Sequence, residues 1–381
     1  MKKIGIIPLG IALFTMFFGA GNIVYPLILG RETAGNIIPG LIGFIITGVA
    51  VPIIGFLATS LYEGNYEKFF QSIGKIPARV VIILSMIIIG ILASARCIIV
   101  SYASIQQYIP WCSLFTYSLI VGALIFILTF KENMVVKLLG KVLGPIKITL
   151  LLSILFLVVI NLKKIPSSNL SAGQSILTGL QDGYLSLDLL AGLFFSHLIY
   201  ATMKEEKLSS KQLIKKGLKV GFFGGILLAC IYCGFALVAA LHSLSLANIA
   251  DQKLFATLAI NILGTAGGIL ANTTVAIATL TTAMSLVTVF SDYLTYDMFK
   301  GKISYLAALT FTIIINIAFA NLDFSGIMKV IVPIALIIYP ALIALSITSI
   351  LNKLYNFKYV KSVTFATFFV TLIFYMNRFL K

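Results

Sequence analysis

Apolar residues run through this chain in blocks of 20 or so, separated by short polar stretches. A helix of about 20 apolar residues crosses the ~30 Å hydrocarbon core of a bilayer. The pattern predicts eleven spans, over residues 5–29, 37–61, 78–104, 112–130, 135–162, 174–203, 213–241, 267–291, 303–321, 326–351 and 361–378. Several are longer than a perpendicular helix needs, so tilts or kinks are expected. Residues 242–267 are too polar to span and too apolar to float freely, and are expected to form a short helix folded over the outer mouth.

Two spans interrupt their own pattern. Thr15-Met16-Phe17-Phe18-Gly19-Ala20-Gly21-Asn22-Ile23-Val24-Tyr25-Pro26 sets a Gly-x-Gly-Asn break and a proline inside the first, and Gln181-Asp182-Gly183-Tyr184-Leu185-Ser186-Leu187-Asp188 sets glycine and two carboxylates inside the sixth. Lipid cannot hydrogen-bond freed backbone, so such breaks must face protein or a water-filled cavity. Spans one and six each open a group of five, and matching breaks in two halves point to an inverted-repeat transporter with its site at the bilayer midplane. Bare amides at a half-helix N-terminus suit a carboxylate, and bare carbonyls at a half-helix C-terminus suit a cation. A zwitterionic amino acid together with a metal ion satisfies both.

Composition removes the soluble alternatives. The 381 residues are 60% hydrophobic and 10% charged, with a mean hydropathy of +1.08, whereas soluble domains carry roughly 25% charge. A formal charge of +16 would suit nucleic acid if Lys and Arg formed a stripe, but they sit in short loops between apolar spans, so no nucleic-acid partner is expected. Starting from a cytoplasmic N-terminus, alternation leaves only Arg31, Lys163, Lys164, Lys253, Arg378 and Lys381 in outer loops. Lys2, Lys3, the 204–219 loop with Lys207, and most other basic residues fall inside, which places the C-terminus outside. Met1-Lys2-Lys3 precedes an apolar run without a small-residue cleavage site and reads as a retained first helix. Cys97, Cys112, Cys230 and Cys233 lie in or beside apolar segments and imply no disulfide framework.

Asp188 is the most demanding candidate, since a carboxylate near the bilayer centre costs about 2.5 to 3.5 kcal/mol even on lenient scales. It pairs either with a substrate ammonium, a cation or a proton, or structurally, as with Arg96. Asp182 is expected near the outer vestibule. Ala278-Thr279-Leu280-Thr281-Thr282-Ala283-Met284-Ser285 carries hydroxyls that could complete an oxygen cage for a hard cation, or simply hydrogen-bond across a helix interface. Arg96, Lys147 and Lys329 lie within or at the ends of spans; Arg96 can snorkel, pair with a carboxylate or line an aqueous path. His197 and His242 have no spaced ligand partners. A His-Glu-x-x-His motif is absent, and Asp182 and Asp188 share one span, so an enzyme is not expected.

These residues resemble the branched-chain amino acid:cation symporters, also called branched-chain amino acid transport system II carriers, over nearly the whole chain. Phe17 to Pro26 with Leu29-Gly30 is similar to that family's first-helix signature, and Gly183-Tyr184-Leu185-Ser186-Leu187-Asp188-Leu189-Leu190-Ala191 to its sixth-helix segment. Thr279-Leu280-Thr281-Thr282-Ala283 resembles its eighth-helix run, and Ile338-Tyr339-Pro340-Ala341-Leu342-Ile343 its tenth-helix Tyr-Pro pattern. The resemblance implies a LeuT-like five-plus-five inverted-repeat fold, all helical, with spans one and six discontinuous. The repeats would be 1–162 and 171–351, with 361–381 an extra helix. It implies uptake of leucine, isoleucine or valine across the cell membrane by symport with sodium, or with protons, and no organic cofactor. Gly19, Ala20, Gly21 and Asn22 would bind substrate, with Gly183, Tyr184, Ser186, Leu187 and Asp188 completing the pocket. Thr15, Phe18, Ala278, Thr281 and Thr282 would hold the sodium ion. Other small substrates on the same fold, such as a nucleobase or another amino acid, and a non-transporting sensor remain open. The chain departs from the family at Ala95, where Pro is usual, at Leu187, which replaces Met, and in having eleven spans where twelve are common.

Overall fold

The computed structural model describes residues 4–131, 135–159, 165–206 and 208–379, without the side chains of 154–159 and 377–379. Of the loop charges used for orientation, Lys2, Lys3, Lys163, Lys164, Lys207 and Lys381 lie outside the described residues, as do the Arg378 side chain and residues 160–162 of the fifth expected span.

Each of the eleven expected spans is helical over its described residues, apart from the two breaks and one or two residues at some ends, and no strand occurs among them. Among the described residues, six helical stretches are long and apolar enough to cross a membrane: Ala20–Ser60, Lys75–Tyr108, Ala172–Lys204, Ser210–Leu241, Asp251–Met298 and Asp323–Tyr355. Four shorter apolar helices, Ile6–Phe17, Leu114–Thr129, Tyr305–Ala320 and Val360–Met376, supply the rest except span five, which runs as Val135–Leu138, a π turn and Gly144–Val159. Helix starts are written locally. Ser171 and Ser209 each accept from the backbone N–H three residues on, while Gln174 and Gln212 return the bond to the serine N–H, the reciprocal arrangement that satisfies two orphan donors at once. Ser113 and Ser304 cap the fourth and ninth spans in the simpler way.

The packing of the first five spans is mirrored in the next five. Span two runs along both halves of span six, and span seven along both halves of span one. Close approach is possible because small residues line these seams: a Cβ on Gly179 would sit 2.0 Å from the carbonyl oxygen of Gly40, the small-residue logic of helix pairs in lipid. Span one and the second half of span six are buried nearly all round; Phe14, Thr15, Met16, Phe17 and Phe18 are inaccessible, as are Leu190, Leu193 and Phe194. A helix apolar on every face belongs at the centre of a bundle. Span eleven is peripheral, packing on span ten and exposing Phe369, Val370, Ile373 and Phe374.

Two features differ from the simple reading of the sequence. Short π-helical turns at Ile46–Ala50, Ile88–Ala93, Leu139–Leu143 and Tyr293–Met298 interrupt otherwise regular spans; one extra residue in a turn leaves the apolar composition unchanged and so leaves no trace in the pattern. The segment 242–267 holds a short helix, Ser243–Leu246, and then the start of a longer one that does not end before span eight. It runs from Leu254 into that span through a kink at Gly264, whose φ of 67° and ψ of −173° only glycine adopts readily. Arg31, at the end of span one, ties this arm down through Ile249 O and Asp251, both at 3.0 Å.

Candidate functional site

The two interruptions meet in the middle of the bundle. In span one the helix Ile6–Phe17 stops and Ala20–Thr33 begins, with Phe18 and Gly19 non-helical between them. The Gly19 N–H is taken by Asn22 Oδ1 at 2.9 Å, while the N–H groups of Ala20, Gly21 and Asn22 have, by position, no acceptor within their own helix. In span six Ala172–Leu185 stops and Asp188–Lys204 begins across Ser186 and Leu187. Leu187 is held left-handed, at φ 71° and ψ 14°. A leucine in that conformation costs about 1 to 2 kcal/mol, so the surrounding packing must impose it.

Asp188 binds the breaks together. Its Oδ2 accepts from Asn22 Nδ2 at 2.6 Å, Tyr232 OH at 2.8 Å and Ser186 Oγ at 3.0 Å. Asn22 and Tyr232 also bond each other closely. Spans one, six and seven therefore share one buried carboxylate, 3% exposed. Arg96 does not pair with it. Instead Arg96 Nη1 and Nη2 donate to the carbonyls of Leu185 and Ser186, at 3.3 and 3.0 Å, capping the first half-helix of span six with positive charge where the helix dipole is negative. Gly21 fits beneath this cap only because it lacks a side chain: a Cβ there would lie 2.6 Å from Ser186 O and 2.7 Å from Arg96 Nη2.

Between the breaks is a narrow chamber lined by Phe17, Gly19 to Asn22, Ile89, Ala93, Arg96, Cys97, Ser186 to Asp188, Ala191, Thr282 and Leu286. Its volume of about 20 Å³ holds roughly one water, so an amino acid would require the helices to part. The lining is polar at the broken backbone and aliphatic elsewhere. A second cavity of about 660 Å³ opens beyond Tyr25, Leu185 and Met328, with Asp182, Asp251 and Lys329 on its walls. Arg96 lies over the Tyr25 ring at 6.0 Å and contacts Met328 sulfur at 3.9 Å, so these three side chains separate cavity from chamber. Tyr184 packs on the Tyr339 ring, centroids 4.7 Å apart, and is not among the residues lining the chamber. Gly183 likewise faces span two, where a Cβ would meet Thr47 Oγ1 at 2.4 Å.

The oxygens expected to surround a metal ion do converge, and they converge on an amine. Lys147, from span five and fully buried, shares the three N–H donors of an ammonium among four acceptors, Thr15 O, Ala278 O and Thr281 Oγ1, each at 3.0 Å from Nζ, and Phe18 O, which is closer. Thr282 Oγ1 donates to Thr15 O at 3.2 Å, completing the ring. With the lysine in place this donor set does not fit a metal ion as well. Elsewhere, among the described residues, no group of three or more His, Cys, Asp or Glu could hold one. The four cysteines are free thiols.

Lys147 and Tyr232 are polar residues that reading the sequence did not place in the site, and Phe17, Ile89, Ala93, Ala191 and Leu286 are apolar ones. A lysine within an apolar span is itself a signal, since buried charge in lipid marks function by default. Tyr232 has no such mark among 16 tyrosines.

Two interrupted, centrally buried helices that cross at their breaks, each flanked by a span of the other half, define a transporter of the LeuT fold. Solved structures agree in architecture. A nucleobase-cation-symport-1 family transporter, Mhp1, in a closed conformation with bromovinylhydantoin bound, superposes with a TM-score of 0.67 at 9% identity, over 91% of this chain and 78% of that one. A Na+-coupled sialic acid symporter in a substrate-bound outward-open state gives a TM-score of 0.56 at 12% identity, over 97% and 90%. The sequence is more specific than the fold: residues 2–381 match the branched-chain amino acid transport protein family, and the chain belongs to it. The branched-chain amino acid permease BraB of Bacillus subtilis (strain 168) is 28% identical over 367 residues, 91% of this chain and 80% of the relative. The permease BrnQ of Corynebacterium glutamicum is 28% identical over 360 residues, 93% and 82%. The protein is thus a multi-pass membrane transporter rather than an enzyme.

Proposed function

We propose that this chain moves leucine, isoleucine or valine across the membrane by alternating access around the chamber between spans one and six. The carrying observation is the chamber itself. Its floor is the start of a half-helix at Ala20 and Gly21, whose N–H groups have no acceptor within their own helix and suit a carboxylate, and its walls at Phe17, Ile89, Ala93, Leu187, Ala191 and Leu286 are apolar, suited to a branched side chain. Asn22 orients the carboxylate end, and Asp188 is the electrostatic anchor nearest the ammonium. Gly19, Ser186 and Leu187 shape the break, and Gly183 and Tyr184 support it from behind. The permease names of the relatives support the substrate class, and the symporter titles of the structural neighbours support cation coupling, by sodium or by protons.

In this reading spans 1–162 and 171–351 are the two repeats, 361–381 is an appended helix, the N-terminus is cytoplasmic and the C-terminus external. The basic residues of the loops support that orientation. The test is radiolabelled leucine uptake into proteoliposomes with unlabelled competitors. Competition by isoleucine and valine, and none by nucleobases or polar amino acids, is expected. Competition by a nucleobase would move the substrate class, and leucine binding without accumulation would make the chain a sensor.

A further inference from the structure

The cage between spans one and eight already contains an amine, Lys147 Nζ, which is covalently part of the chain. We propose that the Lys147 ammonium takes the place of a metal ion there, so that transport proceeds without sodium. This rests on the transporter reading above and decides between the coupling ions it left open.

Charge balance carries the inference. Every ligand of Lys147 Nζ is neutral: three carbonyls, from Thr15, Phe18 and Ala278, and the Thr281 hydroxyl. No ion pair found among the described residues involves Lys147, so nothing in the cage compensates a second positive charge. A sodium ion on the same oxygens would sit within about 3 Å of the ammonium, where two unit charges repel strongly in a low-dielectric interior. Nor has the side chain been left room to swing away. It is fully buried, with Nζ 5.3 Å and 6.0 Å from the centroids of the Phe18 and Phe14 rings.

The backbone is arranged to deliver it. Gly144, one turn before Lys147, lies so close to span one that a Cβ would meet Thr15 Oγ1 at 2.6 Å and Leu139 O at 2.4 Å. The π turn Leu139–Leu143 leads into that contact. The other break is treated in the same way, with Arg96 on the Leu185 and Ser186 carbonyls. Both half-helix C-termini are thus neutralised by side chains of this protein, one from span three and one from span five.

Thermal melting of the purified protein, in sodium chloride against choline chloride at equal ionic strength, is the direct test, because a ligand of the folded state raises the melting temperature by mass action. The wild type is expected to melt identically in both salts. Lys147→Ala, with the cage opened to solvent ions, is expected to gain melting temperature with sodium and not with choline. In proteoliposomes, wild-type leucine uptake should be the same with and without a sodium gradient. A saturable sodium-dependent rise in the wild-type melting temperature, or severalfold stimulation of its uptake by a sodium gradient, overturns the proposal. If Lys147→Ala does not fold, Lys147→Met, which keeps the volume, replaces it, and the wild-type salt comparison still decides. Absence of leucine transport under every gradient would strike the functional reading alone, since the melting measurements do not involve leucine.

Discussion

Asn22 on span one donates its side-chain amide to Asp188 on span six at 2.6 Å, joining the two interrupted helices at their breaks. The same carboxylate oxygen takes Tyr232 and Ser186, so three donors point at one buried charge. Replacing Asp188 by Asn keeps the shape, removes the charge and sets an amide against those donors. Each hydrogen bond to a charged group contributes about 1.5–3 kcal/mol, and every 1.4 kcal/mol is about tenfold in an equilibrium. Asp188→Asn should therefore lower leucine uptake by at least tenfold at equal protein abundance. Wild-type uptake in vesicles would remove Asp188 from the mechanism.

Tyr232 tests whether span seven belongs to the site. Its hydroxyl touches both Asn22 and Asp188, and its ring packs edge-on against Phe44 at 5.3 Å. Tyr232→Phe keeps the ring and deletes only the hydroxyl. A severalfold loss of leucine affinity is expected, with a stability loss of about 1 kcal/mol, the usual net value of one hydrogen bond. Equilibrium binding on purified protein separates the two; an unchanged affinity would leave Tyr232 as packing.

Gly21 is set by space. A Cβ at that position meets backbone at Ser186 and the Arg96 guanidinium well inside van der Waals contact, and the backbone of span six cannot yield as a flexible side chain can. Gly21→Ala should weaken leucine binding, and Gly21→Val, with two more methyls, should abolish it while the protein still inserts. Binding isotherms for the pair check the order; equal affinity across wild type and both variants would contradict a backbone-lined pocket.

Arg96 acts through the helix end it caps. Arg96→Leu leaves the Leu185 and Ser186 carbonyls bare in the interior, and an orphaned buried acceptor costs about 1–3 kcal/mol. The melting temperature should fall, and Arg96→Lys should recover only part of the loss, because an ammonium lacks the planar fork that reaches two carbonyls at once. Full recovery by lysine would show that charge alone suffices.

How far these contacts can be read from sequence differs from residue to residue. The breaks are legible because glycine and carboxylate inside an apolar run contradict what lipid permits, and the Gly19-x-Gly21-Asn22 spacing names the residues that line the first. The partners of Asp188 are not, since Asn22 lies 166 positions away and Tyr232 another 44 beyond Asp188. Arg96 shows the limit most plainly. Its cost in the membrane means that something must hold its charge, yet whether it meets a carboxylate or a helix terminus depends on how spans three and six cross. Resemblance supplies the cage as a set of oxygens, and only the fold shows that Lys147 of span five reaches into it.

Thr281 separates a lysine cage from a metal cage. Its hydroxyl accepts from Lys147 Nζ at 3.0 Å while donating to Ala278 O at 2.8 Å. Thr281→Val preserves shape and β-branching but leaves the ammonium three carbonyls. The three N–H groups then have one carbonyl each, so the loss is smaller than the about 1.5–3 kcal/mol of a full charged hydrogen bond, and the melting temperature should drop only modestly. If the hydroxyl served a sodium ion, the variant would instead need a higher sodium concentration for half-maximal leucine uptake. The expected result is a lower melting temperature with a sodium response as flat as the wild type's, because the group that lost its ligand is fixed to span five and cannot be restored by adding salt.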